Sequence, residues 1–123
     1  MYKTLLVDAD IQDGRQVVSS LENAGLKIAA AFWLHSEERD EWELVIVSPD
    51  VAEKGSTQVY KEHFATLHNM QTELPRPLNF WWDRIKIVSP SSLSYETVKH
   101  HSGLRCGPVR EGPALDAYIY KMT

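Results

Sequence analysis

Apolar positions near the start of the chain recur with a helical period. Ile11, Val17, Val18, Leu21 and Ala24 fall on one face together with Gly14, and Gly25 stands where a left-handed residue ends a helix. The pattern predicts a helix over 10–24, with Asp8, Asp10 and Asp13 bringing negative charge to its N-terminal end. Residues 27–34 form a nearly continuous apolar run of strand length, as expected of a strand covered on both faces. A polar stretch, 35–41, separates it from the β-type run 42–47, which predicts a hairpin with a charged tip and with Trp33 facing Trp42 across the strands.

Tyr60, His63, Phe64, Leu67 and Met70 recur at spacings of three and four and predict a helix over 57–70, preceded by a loop that holds Glu53 and Lys54. Pro75 and Pro77 end helical structure and make 71–79 an extended connection. Strand 84–88 follows, with Ile85 and Ile87 on one side. Ser91 or Ser92 then caps a short helix ending near His101, and Gly103 stops it. Residues 104–110 and 115–122 read as a second hairpin, and 2–7 as an optional first strand. The predicted fold is α+β, one domain over 1–123. It has a single, mainly antiparallel sheet of about five strands and three helices, in the order (β)-α-ββ-α-β-α-ββ.

Composition narrows the function classes. The 123 residues suffice for one core, and a net charge of −4, with 13 basic residues scattered among 17 acidic ones, argues against binding duplex nucleic acid. A lone cysteine, Cys106, excludes an internal disulfide and a multi-cysteine zinc site. The chain has no apolar run of membrane-spanning length and no signal-peptide pattern at its start, so a soluble, cytoplasmic protein without a membrane partner is expected.

The acidic residues offer the first candidate chemistry. Asp8 and Asp10, joined by Asp50 and Glu53, are the residue types that hold Mg²⁺ for phosphoryl transfer or nuclease chemistry. Capping and dipole compensation explain Asp10 and Asp13 without a metal. The nuclease signature further requires an acid and a lysine two apart on one strand, whereas Glu53 and Lys54 are adjacent. His35, His63, His68, His100 and His101 show no metal-ligand spacing, and neither a nucleophile elbow nor a glycine-rich phosphate loop is present. No metal or cofactor is therefore expected. Adjacent Trp81 and Trp82 point to opposite sides of an extended chain, so either both are covered or one offers a binding or dimer surface.

Two resemblances bear on the fold. The segment from Leu5 to Asp10, with Ala24-Gly25 and the run from Glu43 to Asp50, resembles the opening of a response-regulator receiver domain. Ser48 stands where a receiver carries its phosphoryl-accepting aspartate, and the closing-strand Lys-Pro is replaced by Val88-Ser89-Pro90. Across most of the chain, Asp10 with Gly14-Arg15, Ala24-Gly25, Ala30–Leu34, Glu41–Ile46, Ser48-Pro49, Glu53-Lys54-Gly55, Tyr60 and Asp116–Tyr120 resemble a family of short, uncharacterised bacterial proteins with no assigned activity. That resemblance implies a stand-alone domain, and it directs attention to Gly14, Arg15, Glu53, Lys54 and Gly55, with Arg15 and Lys54 as candidate anion ligands. The leading expectation is a non-enzymatic interaction or regulatory module, either a homodimer through a sheet face or edge or a binder of another protein. The alternatives are the Mg²⁺-dependent enzyme using Asp8, Asp10, Asp50 and Glu53 and a degenerate receiver.

Overall fold

A computed structural model describes residues 6, 8–36, 40–72, 84–92, 95, 96, 98, 107–111 and 115–122. Helix α1 (Asp8–Asn23) leads into strands β1 (Ala30–Ser36) and β2 (Glu41–Val47). Helices α2 (Pro49–Lys54) and α3 (Ser56–Thr72) follow, then strands β3 (Ile85–Val88), β4 (Gly107–Glu111) and β5 (Leu115–Met122). The strands lie in one mixed sheet in the order β3-β2-β1-β5-β4.

Helix α1 ends as its sequence predicts. Gly25 has φ 102°, its N–H donates to the Glu22 carbonyl, and the Leu26 N–H donates to the Leu21 carbonyl. These are the two bonds of a Schellman cap, and the accompanying apolar contact is supplied by Leu21 and Leu26, both buried in one core cluster.

The first hairpin forms as expected, β1 antiparallel to β2, but its register differs. Trp33 is opposite Leu44 and His35 is opposite Trp42, so the two tryptophans are diagonal neighbours rather than a facing pair. The His35 and Trp42 rings meet edge-on at 5.3 Å, and His35 Nε2 lies 2.8 Å from Asp40 Oδ1 at the hairpin tip. Strand β1 is central, and Ala30, Ala31, Phe32 and Trp33 are fully buried, which accounts for its unbroken apolar run.

Strand β3 pairs parallel with β2, whereas β1–β2, β1–β5 and β4–β5 are antiparallel. A parallel neighbour requires a crossover, and here it contains α2 and α3. The antiparallel pairings are incompatible with the all-parallel sheet of a receiver domain. The segment read as a loop around Glu53 and Lys54 is helix α2. Pro49 occupies its first turn, where a missing N–H costs nothing, and the Ser48 hydroxyl caps it by accepting from the Asp50 N–H at 3.1 Å.

Both faces of the sheet are covered. One carries Val17, Val18 and Leu21 of α1 and Val59 of α3 against Trp33, Leu44 and Ile46. The other packs Phe32, Val45, Val47 and Ile119 against Tyr95 and Val98. Tyr95, Glu96 and Val98 are helical, and the Ser92 hydroxyl accepts from the Tyr95 N–H at 3.3 Å, the cap expected of the helix beginning there. The rest of that segment, and the optional strand 2–7 except Leu6, lie outside the described residues.

Tyr60 closes the sheet at its β3 edge. Its hydroxyl donates to the Ile85 carbonyl at 3.2 Å and accepts from the Ile87 N–H at 2.9 Å. A side chain from α3 thus occupies two ladder positions that an adjoining strand would otherwise take.

Candidate functional site

A groove forms where α1 crosses β5, and an irregularity in β5 builds it. Phe32 pairs with Ile119, but the next residue of β1, Ala31, pairs with Lys121, so Tyr120 is an extra residue in the strand. A bulge of this kind brings two consecutive side chains toward one face. Tyr118, Tyr120 and Lys121 all line the groove, with Ile119 between them, while Arg15, Val18, Ser19 and Glu22 line it from α1. Those four α1 positions are spaced by three, one and three residues and form one helical face. The groove is open to solvent on one side, and its volume is about 580 Å³, within the size range of small-molecule sites.

The floor is fixed by a hydrogen-bonded chain. Trp33 Nε1 donates to Tyr120 Oη at 2.8 Å, and the Tyr120 hydroxyl donates to the Ile11 carbonyl of α1. Gly14 allows the helix to approach this closely, because a Cβ there would lie 2.5 Å from Tyr120 Oη and 2.7 Å from Trp33 Nε1. The Tyr118 and Tyr120 rings meet edge-on at 5.5 Å, and the Arg15 guanidinium lies over the Tyr120 ring, 5.9 Å from its centre. At the rim, Lys121 Nζ is 3.2 Å from Glu22 Oε2, with both side chains substantially exposed.

Burial chiefly holds the Tyr120 phenol well above its ordinary range, and the charge of Asp10 and the nearby Tyr118 push the same way, against the Trp33 hydrogen bond and Arg15. Burial also raises Tyr60, opposed by the Ile87 N–H. Because both folded-state values are raised, their contribution to stability is fully present below the unfolded phenol value near 10 and is lost as pH climbs from there toward the folded values. Urea unfolding between pH 8 and pH 11.5, roughly spanning the phenol range, is expected to show this decline, and Tyr120→Phe to flatten it. An unchanged slope in that variant would contradict the assignment.

The sequence candidates are dispersed. Asp8 is exposed in the first turn of α1, whereas Asp10 is buried on the same helix. Asp50 is buried in the first turn of α2, where its Oδ2 accepts from the Lys27 N–H at 3.4 Å, and Glu53 is exposed. None of the four lines the groove. Among the described residues no three His, Cys, Asp or Glu side chains gather as a metal site. Lys54 pairs with Glu62 of α3 at 3.1 Å, away from Arg15 in the groove. Ser48, at the receiver acceptor position, is fully buried and spends its hydroxyl on the α2 cap. His63 is buried on α3, and its Nδ1 has no hydrogen-bond partner among the described residues. Trp81, Trp82, His100, His101 and Cys106 lie outside the described residues.

Family models, curated proteins and solved structures yield no match to the chain. The site therefore rests on its own geometry. Of its members, the sequence singled out Arg15 and its neighbour Gly14 but missed Glu22, Tyr118, Tyr120 and Lys121. The available signal was Tyr118-x-Tyr120 followed by a lysine. Strict alternation sends that lysine to the opposite face, and only the bulge brings it back.

Proposed function

We propose that this domain is a non-catalytic interaction module that holds a small ligand in the groove between α1 and β5. The observation that carries this reading is the make-up of the groove. Two cationic side chains and two tyrosine rings surround a floor locked by the Trp33–Tyr120–Ile11 chain. Such a surface recognises and orients.

Catalysis by proton transfer asks for an acid or base free to act on a bound molecule. The carboxylate lining this groove, Glu22, is bridged to Lys121, and the Tyr120 hydroxyl is engaged by Trp33 and Ile11. The Mg²⁺-dependent alternative draws no support from the positions of Asp8, Asp10, Asp50 and Glu53, which do not join in a metal-sized group.

Thermal-shift screening of a small-fragment library tests the proposal on the wild type and on Ser19→Trp, which places a bulky side chain from an exposed α1 position into the groove. Fragments that raise the wild-type Tm are expected to lose their effect on the variant. Hits that act equally on both proteins, or an absence of hits, would overturn it.

A further inference from the structure

We infer that the groove binds a small organic carboxylate on a flat apolar body, with Arg15 as its anchor and Lys121 as a second cation that Glu22 holds until the ligand arrives. The inference rests on the groove being the binding site and names the chemistry it takes.

Arg15 is prepared for this role. Its guanidinium is held over the Tyr120 ring, a contact through the ring face that leaves the planar array of N–H donors for oxygen ligands. Among the described residues no carboxylate pairs with it. Guanidinium and carboxylate match as two planar, bidentate partners. Beside this anchor lie the Tyr118 and Tyr120 rings, set edge to face, a surface against which a flat apolar body packs.

Lys121 owes its place to the bulge, since regular alternation carries residue 121 to the far side of the sheet. On the groove side it meets Glu22, in a pair whose side chains are each 40% exposed. A surface pair of this kind contributes little and exchanges readily. An incoming carboxylate competes with Glu22 for Lys121, so Glu22 acts as an internal occupant that weakens binding. Among the side chains that line the groove, two cations stand against one carboxylate, on a chain of net charge −4 and with the charge of Asp10 acting on Tyr120 beneath. That balance suits a monoanion better than a multiply charged phosphate, which the surrounding negative charge repels.

The test uses benzoate as probe, its neutral isostere benzamide and inorganic phosphate, with dissociation constants from ligand-observed NMR. Wild type is compared with Arg15→Gln, Lys121→Met and Glu22→Gln, all changes at the groove surface. Benzoate is expected to bind at least about tenfold more tightly than benzamide and to weaken by a similar factor in Arg15→Gln, the loss expected for a charge-assisted bond. Lys121→Met should weaken it by a smaller factor, and Glu22→Gln should tighten it by about two- to fivefold, the exchange of one surface ion pair. Absence of benzoate binding, phosphate binding more tightly than benzoate, or no tightening in Glu22→Gln would overturn the inference. Equal binding of benzoate and benzamide would remove the anion preference while leaving the groove as the site. Loss of the groove itself would appear separately, as library hits indifferent to Ser19→Trp.

Discussion

Gly14→Val is expected to destabilise the folded domain by about 3–4 kcal/mol, combining the cost of overpacking with loss of the hydrogen-bonded chain beneath it. A Cβ alone at this position meets Tyr120 Oη at 2.5 Å and Trp33 Nε1 at 2.7 Å. Neither neighbour yields easily. The Trp33 side chain is fully buried, and the Tyr120 hydroxyl is fixed between the indole N–H and the Ile11 carbonyl. The helix must therefore lift from the sheet or the chain of bonds must break. In an unconstrained helix, replacing glycine by alanine stabilises by about 1 kcal/mol. Here Gly14→Ala is expected to destabilise despite that gain, and the reversal of sign identifies close packing as the cause. Urea melts measure both variants, and the valine change corresponds to a fall in Tm on the order of 15 °C. A Gly14→Ala protein more stable than wild type would contradict this account of the helix–sheet contact.

The second large effect is expected at the other end of the sheet. Tyr60→Phe removes a hydroxyl that accepts from the Ile87 N–H at 2.9 Å and donates to the Ile85 carbonyl at 3.2 Å. Two partly buried backbone groups lose their partner at once, a cost of about 2–3 kcal/mol when each is left unsatisfied. The same change uncovers these two ladder groups on β3, and an open strand edge is a template for pairing with another chain. Lower urea midpoints and a concentration-dependent rise in mass by light scattering are both expected. If the midpoint is unchanged, water replaces the hydroxyl and Tyr60 does not guard the edge.

What the sequence revealed follows the range of the interactions involved. The Gly25 cap depends on the six consecutive residues from Leu21 to Leu26, and the β1–β2 hairpin on two apolar runs joined by a charged tip, so both are legible locally. Helix α2 was legible in principle, because Ser48-Pro49-Asp50 is a cap, a first-turn proline and a first-turn acid. Its six residues are too few to show a period. The parallel pairing of β3 is set by the path of the crossover, which no local pattern records. Trp42 opposes His35 rather than Trp33 because register depends on the length of the turn as well as on the apolar pattern.

The site divides along the same line. Gly14 and Arg15 stand out in the helical pattern, whereas Tyr120 and Lys121 share a face only through a bulge opposite β1, a contact with residues almost ninety positions away. The acidic set attracted attention by residue type alone. Asp10 and Asp50 are buried in separate helices, while Asp8 and Glu53 are exposed, and the fold gives these four no common centre among the described residues.

We propose that the groove between α1 and β5 is where this domain binds its ligand, and a residue-resolved amide titration of the ¹⁵N-labelled wild type with benzoate locates the bound molecule on the fold. Saturable shifts are expected, concentrated in α1 from Gly14 to Glu22 and in β5 from Ala117 to Met122. Shifts concentrated instead on α2, α3 or the β1–β2 tip would contradict it.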